Sequence, residues 1–241
     1  MQTVLFEDCG RIGYQEAWDY QERLLQENVR AKTDAVPTVS RLLFCEHPPV
    51  YTLGKSGHIE NVLIDQEEMQ RRGIGFYRTN RGGDITYHGP GQLVAYPILD
   101  LEHFGTDLGK YLRNLEEVII RTLADYDLKG ERSPGETGVW LDPTLQGKER
   151  KICAMGVRCS RWITMHGLAL NVNTNLEYFS HIVPCGIQQK QVTSLARELG
   201  APINEAELKE KVMRHFEAVF GASLEPAAPA PVRPQPSVIL A

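Results

Sequence analysis

The 241-residue chain is expected to fold as an α/β (α+β type) domain, with a mixed, largely antiparallel sheet flanked by helices. Three observations point there. Three segments repeat apolar residues at helical spacing, which gives the flanking helices. Short β-like runs cluster between them with no helix in the gaps, a pattern that favours hairpins over βαβ crossovers. Hydrophobic residues make up 42% of the chain, enough at this length to bury a core without metal or disulfide staples.

Gly13 to Lys32 is the first expected helix, with Ala17, Trp18, Leu24, Leu25 and Val29 on one face among Glu, Gln and Arg. Ser40 to Cys45 and Val50 to Leu53 are β-like runs split by the His47-Pro48-Pro49 turn. Gln92 to Leu101 is strongly apolar and reads as a buried strand, with Pro97 near an edge or a bulge. Asp107 caps a second helix in which Leu108, Leu112, Leu115, Ile119 and Leu123 repeat through Tyr126. Thr137 to Leu141, Lys151 to Cys159 and Trp162 to Val172 are three further strands, the last two an antiparallel hairpin turning near Ser160-Arg161. Asn204 and Glu207 form a capping box for a last helix with the core stripe Leu208, Val212, Phe216 and Phe220. The expected domain covers 1–224, with a smaller C-terminal portion after about Gln188. A Pro/Ala-rich tail, 225–241, reads as extended or disordered.

The formal net charge of −5 gives no reason to expect nucleic acid as a partner. An acidic partner would need a local basic patch, and the candidates are Arg71, Arg72 and Arg78 or the Lys148, Arg150, Lys151 run, each equally readable as solvated loop charge. Five scattered cysteines without a C-x-x-C pair suggest neither zinc nor a redox pair, and no metal is implied. The first residues carry Glu7, Asp8 and Arg11, unlike a signal peptide, and no segment is apolar for long enough to span a bilayer. The expectation is a monomer in a reducing cytoplasm, where free thiols are permitted.

Three segments combine glycines with reactive side chains. In Arg81-Gly82-Gly83-Asp84-Ile85-Thr86-Tyr87-His88-Gly89-Pro90-Gly91-Gln92 the glycine pair lets backbone approach a ligand closely, Arg81 offers a fork of donors, and His88 could serve as acid, base or donor. The spacing matches neither a Walker A loop nor a dinucleotide fingerprint, and a purely structural turn is the competing reading. Lys151 opens a strand whose small residues Ala154 and Gly156 could line a narrow cavity. Cys185 sits between Pro184 and Gly186 in a turn, a setting that exposes a thiol to backbone donors, although an inert thiol reads equally well.

Taken together, the segments resemble the octanoyltransferases of lipoate biosynthesis. The matching stretches are EHPPVYTLG (Glu46 to Gly54), RGGDITYHGPGQLVAYPILDL (Arg81 to Leu101), GVW (Gly138 to Trp140), KICAMGVR (Lys151 to Arg158), HGLALNVN (His166 to Asn173) and PCGI (Pro184 to Ile187). They stand in the family's order from about Phe44 to Ile187. The resemblance implies a fold like the catalytic domain of biotin and lipoate protein ligases. It implies an octanoyl-acyl carrier protein as donor, and as acceptors the lipoyl domains of 2-oxoacid dehydrogenases and the glycine cleavage H protein. It maps the nucleophile to Cys185 and its assisting lysine to Lys151. It maps the acyl pocket to Arg81, Gly82, Gly83, Asp84, Ile85, Thr86, Tyr87 and His88, to Ala154, Met155 and Gly156, and to Gly167, Leu168 and Ala169. No cofactor is implied beyond the phosphopantetheine that carries the acyl group into the site, and neither nucleic acid nor a membrane is.

This chemistry suits those residues. A free thiol is only a few per cent thiolate at neutral pH, and a nearby ammonium favours the attacking anion. Amides of a glycine-rich turn could stabilise the oxyanion, and neutral Lys151 could take the proton of the acceptor amine. Competing readings are an ATP-dependent lipoate or biotin ligase, which would not need Cys185, a non-catalytic acyl-binding protein, and a thiol hydrolase or peptidase using His166 or His181.

Overall fold

In this computed structural model residues 1–183 and 191–227 are described. The strands are β1 (Gln2–Arg11), β2 (Arg41–Glu46), β3 (Val50–Leu53), β4 (Gly75–Arg78), β5 (Ile85–His88), β6 (Gln92–Ile98), β7 (Glu131–Ser133), β8 (Glu136–Leu141), β9 (Arg150–Ser160), β10 (Ile163–Asn171), β11 (Gln191–Val192) and β12 (Ala222–Pro226). The helices are α1 (Tyr14–Thr33), α2 (Gln66–Arg71), α3 (Leu108–Ala124), α4 (Leu195–Leu199) and α5 (Glu205–Phe220). A large sheet runs β12-β1-β2-β6-β10-β9-β8-β7, with β11 added against β9, and a small sheet runs β4-β3-β5. Along the path from β2 to β7 every pairing is antiparallel; β12 and β2 flank β1 in parallel, and β11 pairs with β9 in parallel.

The helices form where the apolar spacing placed them. Asp107 accepts the Lys110 N–H at 2.9 Å to start α3, and Asn204 accepts from Ala206 and Glu207 to start α5. Side chains of β6 alternate between two apolar clusters. Leu93 and Ala95 join Leu115, Val118 and Ile119 of α3 and Leu208, Val212 and Phe216 of α5. Val94, Tyr96 and Ile98 join Ala17, Tyr20, Leu24 and Leu25 of α1. A third cluster, with Tyr51, Ile85 and Tyr87, lies beneath the small sheet.

The β9–β10 hairpin turns on Arg161 and Trp162, both with positive φ (47° and 65°), the twist that a two-residue hairpin requires. Neither residue favours that region. Lys32 Nζ, which donates to Arg161 O at 3.0 Å, and the Leu101 N–H, which donates to Trp162 O at 2.8 Å, hold the turn in place. Pro97 does not sit on an edge strand, since β6 is flanked by β2 and β10. The ladder to β10 instead ends at Ala95, two residues before it, and Thr164 Oγ1 donates to the Pro97 carbonyl at 2.8 Å. The portion after about Gln188 is no separate lobe: α5 packs on the shared core and β12 closes the edge of the sheet. β12 also runs two residues past the expected boundary of the tail, whose last part, 228–241, lies outside the described residues.

Candidate active site

A cavity of about 570 Å³ lies between the two sheets, with walls from the 81–86 loop and strand, β6, β9, β10, the 135–137 segment and the start of α3. The sequence places sixteen residues in the site. Arg81, Gly82, Gly83, Asp84, Ile85, Thr86, His88, Lys151, Ala154, Met155, Gly156, Gly167, Leu168 and Ala169 all line this one space. Tyr87 does not. Strand alternation turns it to the other side of β5, where it stacks on Tyr178 with ring centres 4.8 Å apart. Cys185 lies outside the described residues. Described residues on either side of it line the site: Phe179 before it, and after it Val192, which pairs with Lys151.

The loop residues hold the wall instead of offering free donors. Arg81 is buried, and its guanidinium donates to Thr52 O (2.6 Å), Asp84 O (2.8 Å) and Gly82 O (2.9 Å). The Gly82 amide donates to Val157 O at 2.9 Å, so that N–H is engaged by β9 and is not turned to a ligand. A Cβ on Gly156 would stand 2.7 Å from Gly82 O, which is why only glycine lets loop and strand approach here. The Asp84 carboxylate accepts from Asn61 Nδ2 (2.6 Å) and from the Ile85 N–H (2.7 Å), tying the loop to the segment before α2.

A polar chain that sequence reasoning missed crosses the site. His88 Nδ1 donates to Gln92 Oε1 at 2.8 Å, Gln92 Nε2 donates to Asn171 Oδ1 at 2.9 Å, and Asn171 Nδ2 donates to Thr193 O at 3.0 Å. The Thr193 N–H returns to Lys151 O at 2.9 Å. Gln92 and Asn171 were visible as polar residues ending otherwise apolar strands, and buried polar groups need partners. Tyr14 and Tyr96 also line the cavity and were not foreseen. Tyr96 falls within an apolar run and Tyr14 opens α1 between Gly13 and Gln15, and neither carries a signal of its own.

The histidines of the site are neutral. Burial pushes His88 down to about 3, helped by nearby His47, Arg81 and His166. Burial also pushes His166 down to about 3, with Arg81 and Arg158 adding to it. His166 Nε2 donates to Asn80 Oδ1 at 2.7 Å, while its Nδ1 has no partner among the described residues. Such groups supply shape and hydrogen bonds; neither is poised to exchange a proton at neutral pH. Lys151 reaches the cavity from β9, with its Nζ 4.5 Å from the centre of the Trp140 ring. Of the basic candidates on the surface, Arg71 and Arg72 both pair with Glu68, and Arg150 is clamped by Glu198 and Asp142. No helix among the described residues is long and apolar enough to cross a membrane.

Comparison with known proteins gives this cavity its context. The lipoyl protein ligase A/B catalytic domain matches residues 13–217. The chain is 58% identical over 231 residues to an octanoyltransferase of Christiangramia forsetii, covering 93% of this chain and 98% of that protein. It is 53% identical to the octanoyltransferase of Flavobacterium psychrophilum, over 92% and 99% of the two chains. Among solved structures, the bi-partite lipoate protein ligase of Thermoplasma acidophilum superposes with a TM-score of 0.69 at 17% identity, over 94% of this chain and 87% of that one, a likeness of fold. With the domain matched over most of its length and octanoyltransferases matched end to end, the chain belongs to the octanoyltransferases of the lipoyl protein ligase A/B catalytic-domain family.

Proposed function

We propose that this protein transfers an octanoyl group from the thioester of an acyl carrier protein to a lysine of a lipoyl domain, by way of a thioester on Cys185. The observation that carries the covalent route is the joining of Lys151, the glycine loop and the β9–β10 wall around one cavity. Phe179, before the stretch that holds Cys185, and Val192, after it, line that same cavity.

In the first half-reaction the Cys185 thiolate adds to the carrier's thioester carbonyl, and the tetrahedral intermediate collapses with loss of the phosphopantetheine thiol. The Lys151 ammonium favours the thiolate by its charge. In the second, the acceptor amine adds to the acyl-Cys185 carbonyl, loses a proton to neutral Lys151, and expels the cysteine as leaving group. A thioester is exchanged for a thioester and then for an amide, so no nucleotide is required. The neutral histidines and the aliphatic wall of Met155, Leu168 and Ala169 suit an uncharged chain.

Incubation with octanoyl-acyl carrier protein alone, followed by peptide mass measurement, tests this reading. An octanoyl increment is expected on the peptide holding Cys185, absent in Cys185→Ser and discharged by added apo lipoyl domain. Transfer that appears only with ATP and free octanoate, and survives Cys185→Ser, would replace it with the ligase reaction.

A further inference from the structure

Lys151 owes its direction to an irregularity between β8 and β9. Val139 pairs with Cys153, but Trp140 pairs with Lys151, leaving Ile152 as an extra residue on β9. Ile152 and Cys153 are both fully buried in the cluster beneath α3 and α5. The bulge therefore turns Lys151 to the opposite face, into the cavity and beside Trp140.

The bulge is secured from the helix side. Gly138 has φ +119°, and a Cβ there would stand 2.5 Å from the Cys153 carbonyl and 3.5 Å from Lys151 Cε, so this position shapes the lysine's path. The Gly138 N–H donates to Glu116 Oε1 at 3.0 Å. Glu116 is fully buried on α3, and its other oxygen accepts from Arg113 Nη1 (2.8 Å) and Arg132 Nε (3.0 Å). A buried carboxylate is costly unless paired, and apolar packing of α3 through Leu115 and Ile119 has no need of one. Its bond into the bulge is what sets it apart from its neighbours.

We propose that Glu116 and Trp140 are positioning residues for Lys151: Glu116 fixes the β8 backbone at Gly138, and the Trp140 face seats the ammonium. This rests on the reading of Lys151 as the partner of Cys185.

The test is single-turnover discharge of the octanoyl-loaded enzyme to apo lipoyl domain. Trp140→Leu is expected to slow discharge roughly three- to thirtyfold, the range of a cation–π contact from exposed to desolvated, with KM for the lipoyl domain unchanged. Trp140→Phe, which keeps a π face, should recover much of the rate. Glu116→Gln, equal in size, guards against a failure of Trp140→Leu to fold and should also slow discharge. Each variant is then combined with Lys151→Met. If both residues act through the lysine, the double variants are no slower than Lys151→Met alone; losses that multiply mean a merely structural role and overturn the proposal. Should Lys151→Met itself discharge at the wild-type rate, the role given to Lys151 fails, a result distinct from multiplying losses.

Discussion

The two faces of the large sheet are built by different physics. Beneath α3 and α5 the sheet meets a continuous apolar cluster, in which Leu115, Ile119, Val212 and Phe216 fill space and Glu116 is a fully buried charge. Toward the small sheet the buried groups include Arg81, His88, Gln92, His166 and Asn171; hydrogen bonds from Arg81 through Thr52, His88 and Gln92 to Asn171 cross four strands, and His166 bonds separately to Asn80. Apolar packing is non-directional and tolerates change of shape at constant volume. A buried polar network is directional, and loss of one member strands the others. The cavity takes one wall from this directional network and another from Leu108, Leu112, Met155 and Leu168 on the α3 side, so its polar wall is specified more sharply than the rest of the core.

Removing the hub of the polar face should have the largest effect. Arg81→Met leaves the carbonyls of Thr52, Gly82 and Asp84 in place without their shared donor. The expected cost is about 3–5 kcal/mol of stability, read from denaturant midpoints, together with loss of octanoyl loading even where the variant remains folded. Full loading by a folded Arg81→Met protein would break the contrast between the faces.

Acid should find the polar face next. His47, His88 and His166 all have pKa values lowered by burial, to about 3 for the last two, against 6.5 for an ordinary histidine. Below 6.5 the unfolded chain takes up protons that the folded one refuses, so their contribution to stability is complete above 6.5 and is lost steadily down to about pH 3. Glu117, Asp125 and Glu198 have pKa values lowered by basic partners, from 4.5 or 3.8, and lose their stabilising effect only below that range. Stability should therefore already fall between about pH 6.5 and pH 5, by several kcal/mol if all three histidines contribute. A flat profile in that window would show that the histidines are not held neutral.

Legibility in the sequence divides along the same line. The helices of the apolar face announced themselves, because Leu112, Leu115 and Ile119 or Leu208, Val212 and Phe216 recur at helical spacing whatever lies opposite them. β1 and β12 did not. Gln2–Arg11 mixes Glu7, Asp8 and Arg11 with apolar residues, and β12 is specified by a partner some 220 positions away, which local pattern does not contain. The walls of the cavity were legible through resemblance, which places fourteen residues around it. Tyr87 was misplaced because a motif read as a continuous string ignores the two-residue period of a strand. The engagement of the Gly82 amide by Val157 was hidden for the reason that hid β12: its partner is distant in sequence.

The finest test exchanges a residue on each face for methionine at similar volume. Gln92→Met removes the acceptor of His88 and the donor to Asn171 and to Tyr87 O, and should cost about 2–3 kcal/mol. Leu115→Met meets only apolar neighbours and should cost less than about 1.5 kcal/mol, leaving octanoyl loading untouched. Equal losses at the two positions would mean that the polar chain is no more exacting than the apolar cluster, and the difference between the faces would then lie in composition alone. A larger loss at Gln92 accompanied by slower loading would tie the directional network to the chemistry, because its far end reaches Thr193, whose N–H is bonded to the carbonyl of Lys151.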